Sequence, residues 1–316
     1  DAALCYDQSF HRDYLARELP FARLFSVSDE RIAAEMLETR PDIAAFPMNT
    51  LTYRATLSIA QALKRIAPAL PIVCGGIHPT LTPETVVAEP AVDFVVVGEG
   101  EIALPMLMEA LKNNDVETVR RLPVEALPGV WNMADGAVID RGIAPLVRDL
   151  DTLPFPHKDS HYARNRALRT VYKIMAGRGC VGACTYCNCP NLNQLYRQQG
   201  KFNRTRTVEN VLAELKWAKE RYPLRYVDFS DDVFGVDEEW LREFAERYPA
   251  EIGLPYSIQA NPLFCRDGAM ELFAASGCAE VNFGIQTANA ESRKHLLRRS
   301  ESNERVRDLI LRAHEL

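Results

Sequence analysis

The sequence predicts two α/β domains in tandem: a doubly wound parallel sheet, then a parallel (β/α) barrel of which only part is present. Three observations carry this. Short apolar runs alternate with amphipathic segments along both halves of the chain. The runs "PIVCGG" (71–76) and "FVVVGEG" (94–100) are apolar nearly throughout and carry glycine at their ends, as strands buried on both faces of a parallel sheet do. A proline-rich stretch, "LDTLPFPHKD" (150–159), reads as an extended linker between the two series. The 316 residues suffice for two domains of ordinary size. The expected boundaries are 1–125 for a Rossmann-like domain, 126–165 for a hairpin and linker, and 166–316 for the barrel.

In the first half, "AALCY" (2–6) reads as a strand, "HRDYLAREL" (11–19) as a helix and "FARLFSV" (21–27) as a strand. Ser28 then caps a helix through "DERIAAEMLETR", whose apolar residues are Ile32, Ala33, Met36 and Leu37. "DIAAFPM" (42–48) is the next strand, and "TYRATLSIAQALKRIA" (52–67) is an amphipathic helix. Residues 101–112 form a further helix, and "GVWNMADGAVIDRG" (129–142) is a hairpin turning at Asp135-Gly136. Ligands of open α/β sheets bind outside the C-terminal strand ends. Here those ends are Asn49–Thr50, Gly75–Thr80 and Gly98–Glu101. Glycine there permits close backbone approach, or it merely makes tight turns. No G-x-G-x-x-G follows the first strand, which disfavours a dinucleotide site.

The second series opens with the strand "TVYKIMA" (170–176). Thr207 caps the helix "VENVLAELKWAKERY". Strands at 226–232, 254–261 and 279–287 alternate with helices at 237–248 and 268–276, and two further helices follow. That makes four βα units, so the barrel is expected to continue beyond Leu316.

Hydrophobic residues make up 47% and charged residues 25% of the chain, proportions typical of a soluble globular protein. The longest apolar runs are strand-length, so no transmembrane helix is expected. No basic-then-apolar leader opens the chain. It begins at Asp1 rather than a methionine, which reads as a processed or trimmed end. A net charge of −6 offers no global basic field for nucleic acid. Two local basic runs, Arg197, Lys201, Arg204 and Arg206, then Arg293, Lys294, Arg298 and Arg299, read as solvated faces or loops. Of the eight cysteines, Cys5, Cys74, Cys265 and Cys278 are scattered through apolar segments as small hydrophobes. With no export signal, a reducing cytoplasm is the expected compartment, where clustered cysteines point to metal or redox chemistry.

The other four cysteines lie in "GRGCVGACTYCNCP" (177–190). Cys180, Cys184 and Cys187 are spaced C-x3-C-x2-C, just after the first strand of the barrel, where such barrels build active sites. Three thiolates satisfy three irons of a 4Fe-4S cubane and leave one iron open. A structural zinc would need Cys189 as fourth ligand across an awkward C-x-C step. A disulfide loop is the third reading. Spacing favours the cluster and leaves the other two open.

"GRGCVGACTYC" resembles the cluster loop of the radical S-adenosylmethionine (SAM) superfamily, with Tyr186 in the aromatic slot before the third cysteine. "FNRTRTVENVLAELKWAKERYPLRYVDFSDDVF" and "GCAEVNFGIQTANAESRKHLLRR" resemble later barrel segments of that superfamily. "PIVCGGIHPTLTPE", "VDFVVVGEGE" and "LDTLPFPHKD" resemble the cobalamin-binding domain and linker of its cobalamin-dependent members. The resemblance implies that Cys180, Cys184 and Cys187 ligate the cluster and that the open iron binds the amino and carboxylate groups of SAM. Reductive cleavage of SAM would then give a 5′-deoxyadenosyl radical that abstracts hydrogen from an unactivated position. It places the backbone near Tyr186 against the adenine, and Asp232, Gln259 and Gln286 on the rest of SAM; ordinary strand-end hydrogen bonding is the alternative for those three. Many relatives carry Glu where Gln286 stands, and Gln can still hydrogen-bond a ribose hydroxyl without bringing charge.

By the same resemblance, cobalamin would sit between the domains on Asn49, Thr50, Gly75, Gly76, Ile77, His78, Pro79, Thr80, Gly98, Glu99, Gly100 and Glu101. The D-x-H-x-x-G signature of histidine-ligated cobalamin is absent: Asp7 and His11 are wrongly spaced, and Arg164 stands where the pattern begun by Asp159 and His161 needs glycine. No protein histidine is expected on cobalt, His78 being the nearest candidate. The implied activity is methyl transfer from methylcobalamin to an unactivated carbon or phosphorus centre, with radical cyclisation or ring rearrangement served by the same architecture. A transfer-RNA methylthiotransferase would need a second cluster, for which Cys5 and Cys74 are too few. A zinc- or cobalamin-binding regulatory module is the non-enzymatic alternative. Implied partners are a small-molecule or peptide substrate and an external electron donor such as flavodoxin or ferredoxin, with no membrane and no nucleic acid.

Overall fold

The computed structural model describes residues 28–164 and 166–316. The strands expected at 2–6 and 21–27, the helix at 11–19, and Cys5, Asp7 and His11 lie outside the described residues. The chain divides into two compact units, Asp1–Val147 and Arg148–Leu316.

In the first unit, helix α1 (Asp29–Glu38) starts where Ser28 accepts a hydrogen bond from the Arg31 N–H at 3.2 Å. Strands β1 (Ala44–Pro47), β2 (Ile72–Gly75) and β3 (Phe94–Val96) lie side by side and parallel, Ala44 opposite Ile72 and Val73 opposite Phe94. Alternate side chains go to opposite faces. Ile72, Cys74 and Val95 pack with Ile32 and Ala33 of α1 and with Leu57, Ala60 and Leu63 of α2 (Tyr53–Ile66). Val73, Phe94 and Val96 pack on the other face with Ala103 and Leu107 of α5 (Gly100–Asn113). Both faces are therefore covered by helices, which is why these strands read as nearly continuous apolar runs. Two short helices, α3 (Ile77–Leu81) and α4 (Pro83–Val87), fill the β2–β3 connection, and α6 (Val116–Arg120) follows α5.

The hairpin expected at 129–142 forms and extends the sheet. β4 (Val130–Ala134) pairs antiparallel with β3 and with β5 (Ala137–Ile139). Asp135 (φ 50°) and Gly136 (φ 78°) both take the positive φ that a tight hairpin turn requires. Asp93 is buried but compensated, at 2.6 Å from Lys64 Nζ and 2.8 Å from Arg120.

The second unit is built on four parallel strands in the order β11-β10-β9-β6: β6 (Val171–Ile174), β9 (Tyr226–Phe229), β10 (Tyr256–Ala260) and β11 (Cys278–Phe283). These are the four barrel strands the sequence predicts. Helices α9 (Val208–Arg221), α10 (Glu238–Glu251) and α11 (Ala269–Ala275) connect them and bury Leu212, Leu215, Phe244, Tyr248 and Phe273 against Tyr172, Phe229 and Tyr256. After α7 (Asp159–Arg164) and β6, the stretch 177–205 contains more than a loop. β7 (Gly177–Arg178) pairs antiparallel with β8 (Arg204–Thr205), and α8 (Cys189–Leu195) lies between them. The linker is tied to α9 by Asp151, which accepts from the Thr207 backbone N–H at 3.1 Å. Of the two helices expected after β11, the first is a single π-helical turn, Ser292–Leu296, and the second is α12 (Asn303–Glu315). No helix among the described residues is long and apolar enough to cross a membrane.

The basic runs correct the reading of solvated faces in part: Arg197, Lys201, Lys294 and Arg298 are exposed as expected, and the rest are not. Arg204, Arg293 and Arg299 are 8%, 0% and 3% exposed. Arg293 donates to the carbonyls of Thr287 (2.8 Å) and Glu301 (3.1 Å) and to Asn303 Oδ1 (2.7 Å), so one guanidinium satisfies an irregular segment that has no ladder partner. Arg206 meets buried Glu214 at 2.6 Å, and Tyr172 donates to the same carboxylate at 2.7 Å.

Candidate functional site

The cysteine loop leaves the C-terminal end of β6 and is anchored there by a residue that sequence reading missed. Asp231, just past β9, accepts from the backbone N–H groups of Ala176 (3.0 Å) and Gly177 (2.6 Å). Burial pushes its carboxyl up to about 7, against the pull of those two donors. A native value above the unfolded one of 3.8 means the folded state holds the proton longer. The group's stabilising contribution is therefore present below pH ~4 and is lost as pH rises towards ~7, on the order of a few kcal/mol. Asp231→Asn is expected to flatten the dependence of the urea midpoint on pH between 4.5 and 7.5 relative to wild type. A variant with the wild-type slope would contradict the assignment.

Within the loop, Gly182 is the pivot. Its N–H donates to Cys180 Sγ at 3.3 Å, and a Cβ there would stand 3.3 Å from Cys180 Sγ and 3.6 Å from Cys184 Sγ. Two of the three sulfurs therefore gather against a residue without a side chain. The Cys187 N–H donates to the Cys184 carbonyl at 3.2 Å, which winds the loop back. Burial raises the Cys180 thiol pKa, and the Gly182 N–H offsets only part of that rise. All seven described cysteines are free thiols, which removes the disulfide reading for this loop. Among the described residues no three His, Cys, Asp or Glu side chains stand close enough to share one metal ion. The donor set of Cys180, Cys184 and Cys187, with an N–H···S bond already in place, fits a cluster.

The residues expected around SAM lie at the strand ends of the same unit. Asp232 follows β9, Gln259 is on β10, Gln286 follows β11 and Tyr186 is in the cysteine loop; all four are exposed. Two of them meet on Arg299, which sequence reading left in a solvated run. Its Nη1 donates to Tyr186 Oη at 3.1 Å and to Gln286 Oε1, and its Nη2 donates to Asn261 Oδ1 at 2.9 Å. Burial raises the Tyr186 phenol and Arg299 pulls it back, with the rise prevailing. A cavity of about 970 Å³ opens nearby against Gly177–Gly179, Asp231 and Trp240, but none of Tyr186, Gln259, Gln286 or the cysteines lines it.

In the first unit, the three strand ends singled out by sequence do come together. The Met48 N–H donates to the Gly75 carbonyl at 2.7 Å, and the His78 N–H donates to the Met48 carbonyl at 3.2 Å. Thr80 Oγ1 donates to the Gly76 carbonyl at 2.7 Å and accepts from the Gly98 N–H at 2.9 Å. Asn49, Thr50, the 75–80 turn and Gly98 thus form one rim, with Glu99 immediately before α5 and Gly100 and Glu101 in its first turn. Its floor is bare backbone at Gly75 and Gly76, where a Cβ would meet Val96 Cβ at 3.6 Å and the Met48 carbonyl oxygen at 2.8 Å, respectively. His78 Nδ1 is 3.2 Å from Thr50 Oγ1 and its ring lies 4.5 Å from that of Tyr53, so the imidazole is engaged within the rim. Burial lowers its pKa.

Comparison with known proteins agrees with this division. Residues 2–108 match the family model of the B12 binding domain, and residues 174–316 match that of the Radical SAM superfamily. An uncharacterized methyltransferase of Pyrococcus horikoshii is 28% identical over 283 residues, 88% of this chain and 57% of that protein. The cytidylyl-2-hydroxyethylphosphonate methyltransferase of Streptomyces wedmorensis is 24% identical, covering 92% of this chain and 59% of that one. The chain thus spans little more than half the length of these relatives. Among solved structures, the cobalamin-dependent SAM radical enzyme OxsB, with aqua-cobalamin and SAM bound, superposes with a TM-score of 0.72 at 16% identity, over 90% of this chain and 41% of that one. With both family models matched in tandem, the chain joins a B12 binding domain to a domain of the Radical SAM superfamily.

Proposed function

We propose that the full protein is a cobalamin-dependent radical SAM methyltransferase, moving a methyl group from methylcobalamin to an unactivated carbon or phosphorus centre of a small-molecule or peptide substrate. The observation that carries the reading is the pairing, in one chain, of a three-thiol loop at the end of β6 with a bare glycine rim at the ends of β1, β2 and β3. The names of the relatives support methyl transfer over cyclisation. Bound together, the cluster and SAM supply a 5′-deoxyadenosyl radical, and cobalamin supplies the methyl group.

The chain's own residues hold and shield. Cys180, Cys184 and Cys187 provide thiolates to three irons. Gly182 lets the loop close on them and donates an N–H to sulfur, which stabilises the thiolate. Asp232, Gln259 and Gln286 offer acceptors and donors to the polar groups of SAM, and Tyr186 brings the loop backbone against the adenine. Asn49, Thr50, Gly75–Thr80 and Gly98–Glu101 would receive cobalamin, with the His78 ring held against Thr50. An external donor of the flavodoxin or ferredoxin class supplies electrons. Domain limits of 1–125, 126–165 and 166–316 accompany this reading, as does a cytoplasmic location.

The test is copurification. Full-length protein produced with cobalamin available is expected to carry a visible corrin absorption band in addition to cluster colour. A protein that reconstitutes its cluster but never retains corrin would reduce the reading to a plain radical SAM enzyme.

A further inference from the structure

Arg299 is placed where a buried cation has no business unless it is fully employed. Its side chain is 3% exposed. Both Nη1 hydrogens are taken, by Tyr186 Oη at 3.1 Å and by Gln286 Oε1. Nη2 serves Asn261 Oδ1 at 2.9 Å and faces Glu301 Oε1 at 2.6 Å. The Glu301 side chain is 0% exposed, and neither of its oxygens receives an aligned hydrogen bond, so it balances charge more than it orients hydrogens. Only Nε of the guanidinium is left, and it is buried and unpartnered.

The acceptors come from three elements: the cysteine loop, the end of β10 and the end of β11. The segment carrying Arg299 grips that loop a second time, because Thr185 donates through its N–H to the Leu297 carbonyl (3.3 Å) and through Oγ1 to the Leu296 carbonyl (2.6 Å). Gln286 sits at φ 61°, a backbone state that a non-glycine residue keeps only when its surroundings hold it.

We infer that Arg299 and Glu301 are a buried positioning pair. Arg299 spends its Nη hydrogens on fixing Tyr186, Asn261 and Gln286 in one register, and Glu301 neutralises it so that this costs no uncompensated charge. The pair sets the walls of the cosubstrate pocket without itself binding the cosubstrate. The inference rests on the reading of Tyr186 and Gln286 as SAM contacts.

Arg299→Lys tests it. Lysine keeps the charge that Glu301 needs but cannot span three acceptors. Reconstituted anaerobically, the full-length variant is expected to keep its iron and its melting temperature within a few degrees. It should bind labelled SAM about tenfold more weakly by equilibrium dialysis. In cluster-free protein, the amides of Cys184–Cys187 should exchange with deuterium faster than in wild type. Glu301→Asp should recover most of the affinity that Glu301→Gln loses. If Arg299→Lys exchanges and binds as wild type does while Gln286→Ala binds weakly, the pair has no positioning role and the inference fails alone. If Gln286→Ala binds SAM normally while exchange still quickens in Arg299→Lys, the positioning stands and the reading of Gln286 as a SAM contact fails.

Discussion

Replacing Cys184 with alanine is expected to strip the anaerobically reconstituted protein of most of its iron and of its brown colour. The parent should hold about four irons per chain. Cys184 is 9% exposed and turns its sulfur towards Gly182 beside that of Cys180. Water cannot readily substitute there, so an iron without its thiolate makes the whole cubane labile. The informative control is Cys189→Ala. Cys189 opens α8, is 7% exposed, and donates its N–H to Cys187 Sγ at 3.5 Å. Burial, Asp232 and Cys187 all push its thiol pKa up. Cys189→Ala is expected to keep its iron. Equal metal loss in both variants, with a colourless zinc protein as parent, would restore the four-cysteine zinc site.

What the sequence made legible is what a few neighbouring residues decide. Ser28 and Thr207 are caps because a hydroxyl reaches the N–H three residues on, a local geometry. Asp135-Gly136 is a turn because both residues tolerate positive φ. The runs at 71–76 and 94–100 show burial on both faces through composition alone. Arg299 was illegible for the opposite reason. Its partners Gln286, Asn261 and Tyr186 stand 13, 38 and 113 positions away, so nothing within the "LLRRSES" stretch marks it as buried. Glu301 two residues on was the one available hint. Arg293 and Asp231 escaped likewise: each binds backbone groups of other elements, and backbone groups carry no sequence signal. The π-helical turn at 292–296 replaces an expected helix where Arg293 folds back onto Thr287, Glu301 and Asn303.

Gly76→Val is expected to destabilise the first unit on the order of 4 kcal/mol and to abolish corrin retention, whereas Gly75→Ala should fold normally. Gly76 has φ 99° and ψ −167°, a region essentially closed to residues with a Cβ. A Cβ there would lie 2.8 Å from the Met48 carbonyl oxygen and 3.0 Å from the Met48 nitrogen. Both are backbone atoms already hydrogen-bonded to this turn, through the Gly75 carbonyl and the His78 N–H, so neither can retreat without breaking the rim. Strain and clash therefore add, against a total stability of about 5–15 kcal/mol for a domain. Gly75 is the control position. A Cβ on it meets Val96 Cβ at an ordinary 3.6 Å, so alanine there is tolerated by the fold. Because that Cβ packs on the neighbouring strand, Gly75→Ala is expected to match wild type in both urea midpoint and corrin content, so that corrin loss in Gly76→Val follows from the broken rim; a Gly75→Ala variant that keeps the midpoint and loses corrin would contradict this.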